Sequence, residues 1–428
     1  MPLCIILVWV LASTGLAKVD KDMRRKLMIA SVGFSVFMSL LVVHFLGMPY
    51  TWLRFLRKSD LNDTDMPLTS TPSEEVIYPS QQLRHPAAHI AYIKTHKTGS
   101  STIWSILVTY ALENNLTIAI PATRQGNKLG WPKSFTPADA VPPKPDLLCY
   151  HSRFSSAMLD YMPEDTIYLS SVRDPATQLL SAYQYFGASS CFNMSFTEFL
   201  DRPSKTASFV GRCSEYYKWW LMNGQMYDLG LDTSLLSSTN PVDRSKVLDV
   251  ILKLDRQLHM VLVLELLDES LIVMRDLLEW TTLDVVYFRK NFQLGTKVDV
   301  TYTESRKAQA RKWNWADEML YSHFRQKLET ILSQRPEYYK IEVANLKALS
   351  DQWMSRCVRK VIPAALANNK YLKTGYEDNI GTYRLTSNGQ HNNKCILLTM
   401  TEVAKIRLLN NGSSIDVKTF QGGTILDT

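Results

Sequence analysis

The stretch His89-Ile90-Ala91-Tyr92-Ile93-Lys94-Thr95-His96-Lys97-Thr98-Gly99-Ser100-Ser101-Thr102 limits the folds open to this chain more than any other. Its first residues form a short apolar run, which reads as a buried strand; a small polar turn follows, and from Ile103 to Leu112 apolar residues return at helical spacing. Strand, tight loop and helix make the layout of a phosphate-binding loop. Such a loop offers backbone N–H groups, hydroxyls and a lysine at a helix N-terminus, where the dipole already favours an anion. An ordinary strand-to-helix turn with a capping Ser or Thr has the same outline. The pattern G-x-x-x-x-G-K-[ST] is absent, so a second element has to decide.

Tyr168-Leu169-Ser170-Ser171-Val172-Arg173-Asp174-Pro175 is that element. The strand Thr166–Val172 runs into Arg173; Asp174 is a natural N-cap and Pro175 suits the first helical turn. Ser181 lies two helical turns beyond Arg173, so both can face one crevice past the strand ends. A fixed guanidinium with a hydroxyl suits a phosphate monoester, although an arginine here can equally pair with an acid. Further strands are predicted at Thr117–Ile120, Asp146–Tyr150 and Val261–Leu264, and helices at Asp268–Trp280, Glu304–Leu332 and 336–359. Alternating strands and helices predict an α/β fold with a central parallel sheet.

The first residues set the domain plan. Leu27 to Met48 is about the length of a membrane-spanning helix and is preceded by Lys18, Lys21, Arg24, Arg25 and Lys26. That predicts a cytoplasmic segment at 1–26, a transmembrane signal anchor at 27–48, a stem at 49–87 and a lumenal domain at 88–428. The apolar stretch 2–17 leaves a signal peptide or a misassigned start open. Sequons at Asn62, Asn115, Asn193 and Asn411 agree with a lumenal body. Cys191 with Cys213, and Cys357 with Cys395, are spaced for closed loops in an oxidising compartment; Cys149 reads as a buried thiol. No C-x-x-C pair suggests a zinc ribbon, and a net charge of +7 without a Lys/Arg block gives no reason to expect nucleic acid.

Lys94–Thr102 resembles the 5′-phosphosulfate loop of Golgi sulfotransferases, and Val172-Arg173-Asp174-Pro175 with Ser181 resembles their 3′-phosphate motif. With Ala182-Tyr183-Gln184-Tyr185-Phe186-Gly187 and Val263–Leu271, the chain is similar to the galactose-3-O-sulfotransferase family over roughly residues 88 to 410. Gly99 departs from the pattern, where alanine is usual. The resemblance implies a P-loop-like sulfotransferase fold and 3′-phosphoadenylyl sulfate (PAPS) as donor, with no metal required. The acceptor would be O3 of a terminal galactose on a glycolipid, such as galactosylceramide, or on a glycoprotein glycan. It also implies a type II protein of the Golgi membrane, and it leaves the oligomeric state open, a homodimer included.

On the same resemblance, Lys97 would stabilise the leaving phosphate. Lys94, Thr98, Gly99, Ser100, Ser101 and Thr102 would hold the 5′-phosphosulfate, and Arg173 and Ser181 the 3′-phosphate. A neutral hydroxyl needs a general base. His96 in the loop and His151 after the strand Asp146–Tyr150 both qualify; His151 resembles the base of uronyl 2-O-sulfotransferases, and Glu265 is a further carboxylate option. Arg153 is a candidate for the sulfate or acceptor, and Tyr183, Trp313 and Trp315 for sugar stacking. Two rivals compete. A P-loop NTPase needs a loop and a Mg²⁺-binding acid that the chain lacks, and a lectin-like protein without catalysis would have no need of Lys97 and both histidines. A sulfotransferase for another sugar hydroxyl, uronyl or N-acetylgalactosamine, stays open.

Overall fold

The computed structural model describes residues 86–124, 126–201, 213–236, 241–294, 302–367 and 380–412. All fall within one unit, Val76–Thr428. The expected anchor at 27–48, the stem up to residue 85 and the sequon at Asn62 lie outside the described residues. Among the described residues no helix is long and apolar enough to cross a membrane.

Four parallel strands carry the fold: β1 (Ile90–Ile93), β2 (Leu147–Leu148), β3 (Ile167–Val172) and β4 (Met260–Val263), in the order β2-β1-β3-β4. In register, Ile90 faces Leu147 on one side and Ile167 on the other, while Ser170 faces Val261. Every residue of β1, β3 and β4 is buried, as expected of parallel strands covered on both faces. The predicted strand at Thr117–Ile120 does not form. Only Ile118 bridges to Leu147, because β2 itself is two residues long and offers a short edge.

Helices follow the strands: α1 (Ser100–Glu113), α2 (Pro175–Tyr185), α3 (Glu215–Leu221), α4 (Gly224–Asp228), α5 (Pro241–Gln257) and α6 (Leu267–Leu278). Asp174 caps α2 by accepting from the Ala176 N–H at 2.9 Å. The long helix predicted from Glu304 breaks at Asn314 into α7 (Glu304–Trp313) and α8 (Trp315–Gln334). Asn314 is buried, and its side-chain oxygen accepts from the Asn223 N–H at 2.7 Å. Asn223 in turn caps α8 through the N–H groups of Ala316 and Asp317, and the Asp317 carboxylate accepts from Gln225 and Met226 at the start of α4. α4 and α8 thus cap each other.

The chain continues through α9 (Pro336–Cys357), the antiparallel pair β5 (Val358–Pro363) and β6 (Gly381–Leu385), α10 (Asn393–Thr399) and α11 (Glu402–Asn410). A disulfide joins Cys357 to Cys395 and ties the end of α9 to α10; a second joins Cys191 to Cys213. Cys149 is a buried free thiol. One core surrounds the sheet, from Ile93 and Leu107 to Leu169, Leu262 and Met274. A second cluster packs Leu179, Tyr183, Phe192, Phe196 and Phe199 beside α2.

Candidate active site

The order β2-β1-β3 means that the chain leaves β1 towards one side and later returns on the other. Open α/β sheets bind ligands at such a switch, outside the carboxyl ends of the strands. A cavity of about 760 Å³ lies there. It is lined by the β1 loop (His96, Lys97, Gly99, Ser100, Ser101), by His151 beyond β2, by Arg173 and Ser181 beyond β3, and by Leu264 beyond β4.

The loop holds an uncommon backbone. Lys97 has φ 63° and Gly99 has φ 74°, so both are left-handed. That conformation is costly for lysine, and such strain persists only where surrounding contacts impose it. The contact here is Arg173, whose Nη1 donates to the Lys97 carbonyl at 3.1 Å. Arg173 also donates from Nε to the Thr177 hydroxyl at 2.9 Å, and its backbone is held on both sides by the Gln225 amide. At Gly99 a Cβ would lie 2.4 Å from Leu264 Cδ1, so a larger residue would make the end of that side chain turn aside, and the positive φ favours glycine. The Lys97 ammonium sits 3.4 Å from the centre of the Tyr185 ring.

Both candidate bases line the cavity with their rings stacked, 4.1 Å between centroids and 15° between planes. His96 Nδ1 lies 2.8 Å from Asp228 Oδ2, which also accepts the His96 backbone N–H at 2.7 Å. The other Asp228 oxygen accepts from Trp131 Nε1 at 2.9 Å. His151 Nδ1 meets only a neutral partner, the Lys94 carbonyl at 3.0 Å. Burial, then the neighbouring His96 and Lys94, holds the His151 imidazole well below its ordinary range. Carbonyl and carboxylate both accept, so each ring carries its proton on Nδ1 and its lone pair on Nε2.

Eight residues expected at the ligand stand elsewhere. Lys94 is buried at the end of β1 and is ion-paired with Glu402 on α11. The Thr98 hydroxyl bonds to Thr95 and Ser171, both at 2.8 Å, and the Thr102 hydroxyl accepts the Lys290 N–H at 3.1 Å. Arg153 is spent on the carbonyls of Tyr227 and Leu231, where it fastens a loop. Tyr183 is buried in the second cluster, its hydroxyl donating to the Met194 carbonyl at 2.7 Å. Trp313 donates to the Leu221 carbonyl at 2.7 Å, Trp315 packs against the main core, and Glu265 accepts the Asp174 N–H at 3.0 Å; none of the three lines the cavity. Of the sequons, Asn115 and Asn193 are exposed, and Asn411 is exposed at the cavity itself.

Asp228 is the residue that sequence reasoning missed. It stands alone as an acid within Met226-Tyr227-Asp228-Leu229-Gly230-Leu231, and a lone carboxylate in an apolar run is a signal of a buried partner. Trp220 and Phe186 were also missed as a stacked pair lining the cavity, their ring centroids 3.7 Å apart.

A family model described as Galactose-3-O-sulfotransferase matches residues 12–411. The chain belongs to the galactose-3-O-sulfotransferase family. Among curated relatives, galactose-3-O-sulfotransferase 2 of Sus scrofa is 31% identical over 293 residues, covering 65% of this chain and 71% of the relative. Galactosylceramide sulfotransferase of Homo sapiens is 31% identical over 288 residues, covering 64% of each chain. Galactose-3-O-sulfotransferase 3 of Bos taurus is 28% identical over 407 residues, 91% of this chain and 89% of the relative. In this galactose-3-O-sulfotransferase family member, the loop carrying Lys97, the arginine beyond β3 and the imidazole pair line one cavity.

Proposed function

We propose that this chain transfers a sulfuryl group from PAPS to O3 of a terminal galactose, with His96 as the general base. One observation carries the reading: a lysine on a left-handed loop, an arginine fixed beyond β3 and a carboxylate-backed imidazole all line one cavity. Its volume of about 760 Å³ is in the range of nucleotide-sized ligand pockets. PAPS, when bound, supplies an activated sulfuryl group. The N-terminus of α1 with Ser100 and Ser101 suits its 5′-phosphosulfate, and Arg173 with Ser181 suits its 3′-phosphate.

Sulfuryl transfer resembles phosphoryl transfer, in which the protein positions the in-line groups and stabilises charge. Lys97 neutralises charge on the leaving phosphate. His96 takes the galactose O3 proton on Nε2, and Asp228 steadies the resulting imidazolium. His151 is less suited to that charge, because its near neighbours include Lys94 and Lys128 and, among the described residues, its ring bonds only to a carbonyl. It stays neutral and offers Nε2 as an acceptor that orients the sugar. Trp220 and Phe186 give the galactose an apolar face to rest on.

The test is transfer from labelled PAPS by the full chain to galactosylceramide, lactosylceramide, Galβ1-4GlcNAc and Galβ1-3GalNAc. Transfer lost in Lys97→Ala, and preference for 3′,5′-ADP over ADP lost in Arg173→Ala, would support the reading. No transfer to any galactoside, or unchanged nucleotide preference in Arg173→Ala, would overturn it.

We also propose a lumenal, membrane-anchored setting in the Golgi. The two disulfides and the exposed sequons at Asn115 and Asn193 support it. A glycosidase-sensitive mass in the membrane fraction is expected, and an unmodified soluble chain would refute it.

A further inference from the structure

The sheet order gives the cavity two ends. Lys97, Arg173 and Ser181 lie towards β3, where the donor's charges fall on the reading above. Towards β2 the same cavity is lined by Arg124, Lys128 and Arg407. Lys128 pairs with His151 as a parallel bridge, and the next residue, Leu129, donates its N–H to the His151 carbonyl at 2.7 Å. Arg407 lies one helical turn before Asn410 on α11, and the Asn410 amide donates to the Gly126 carbonyl at 3.0 Å. Residues 124 and 126–128, with α11, therefore form one wall beyond the imidazole pair.

That wall is not balanced by the protein. Among the described residues the only carboxylate lining the cavity is Glu402, and Lys94 already holds it. Lys128 is kept half out of water, 4.6 Å from the Trp131 ring centre and 4.9 Å from that of Tyr216, and burial lowers its pKa. Desolvating an ammonium costs free energy that an arriving anion would recover. A neutral galactoside gives no use to three cations, because its hydroxyls are served as well by amides and backbone groups.

We propose that this end of the cavity is a subsite for an anion carried by the acceptor, a sulfate ester or carboxylate on the sugar next to the galactose, bound by Arg124, Lys128 and Arg407. The proposal rests on the acceptor end being where the imidazoles stand. Guanidinium groups match the planar or trigonal oxygens of such anions. A sulfation, or the addition of an acidic sugar, would then precede this reaction on the same glycan.

The experiment reads binding, so it does not depend on turnover. Calorimetry on the full chain with 3′,5′-ADP present compares Galβ1-4GlcNAc, the same disaccharide with a 6-O-sulfate on GlcNAc, and galactose linked to glucuronic acid. At least one acidic ligand is expected to bind about ten- to a hundredfold tighter than the neutral one, and the better of the two names the anion. The advantage should shrink with added salt and fall to about one in Arg124→Gln/Arg407→Gln. Equal or weaker binding of both acidic ligands would overturn the subsite. So would a double variant that loses affinity for 3′,5′-ADP, since the cations would then serve the donor. If acidic ligands bind tighter but no galactoside is sulfated, the subsite stands and the transfer reading falls.

Discussion

The two walls of the cavity are built in different ways. The β3 wall is made of strand ends and helix starts that pin one another: Arg173 holds the Lys97 carbonyl, Gln225 holds Arg173, and Leu264 packs against Gly99. The β2 wall is made of residues 124 and 126–128 and of α11, which meet where the Asn410 amide donates to the Gly126 carbonyl. The first wall has little freedom to change without losing its loop conformation. The second can vary in sequence while the sheet stays intact. This is the division expected of an enzyme family that shares a donor and differs in acceptors. Helix α4 serves both walls, giving Gln225 to Arg173 and Asp228 to His96.

The comparison breaks most visibly at Asp228. Asp228→Asn should lower kcat by about 10²–10⁴-fold, because the imidazole loses the group that fixes its tautomer and steadies its charge. Affinity for 3′,5′-ADP should stay within about twofold, read by calorimetry on the same preparation. A parallel loss of nucleotide affinity would show that the walls are not separable.

Gly99 sharpens the comparison from the other side. Gly99→Ala places a Cβ against the movable end of Leu264 and keeps a left-handed φ, so it should destabilise the fold by about 1 kcal/mol while 3′,5′-ADP binding, served by the alanine usual at this position, holds. Adding Leu264→Ala should relieve the contact but not the backbone. Urea midpoints for the single and double variants, corrected for Leu264→Ala alone, divide the cost between the two. No loss in the single variant would mean that the loop is not as constrained as its contacts imply.

The smallest effect concerns the post beneath both walls. Burial raises the Asp317 carboxyl to about 7, against the pull of the Met226 and Gln225 N–H groups and with the help of nearby Asp228. In the unfolded chain it titrates near 4. Between those values the native state holds the extra proton, so this residue makes stability fall as pH rises from about 4 to about 7 and level off above. Asp317→Asn should flatten that part of the profile, measured by urea unfolding at pH 5 and pH 7.5. An unchanged slope would place the titration elsewhere.

The β3 wall was legible in the sequence because its residues come in runs. Lys97–Ser101 and Arg173 to Ser181 are each fixed by local periodicity: a strand, a turn and the first two turns of a helix. The β2 wall was not, because Arg124, Lys128, Glu402 and Arg407 reach the cavity from elements whose placement only the tertiary fold decides, and Asp228 stands behind His96 for the same reason. Arg153 misled because a guanidinium after a strand looks the same in sequence whether it binds an anion or fastens backbone carbonyls. Lys94 misled because charge gives no sign of burial until its partner, 308 positions away, is known.

That distance bears on how the protein is made. The ammonium of Lys94 terminates the central strand, and burying it without Glu402 would leave an uncompensated charge in the core, which is strongly destabilising. Ser105 and Thr109 on α1 likewise wait for Lys405, which bonds both hydroxyls at 2.9 Å. In a growing polypeptide, closing the sheet before α11 is made would bury Lys94 without its partner. A product cut short before Glu402 would therefore lack the charge that lets Lys94 be buried at the end of β1.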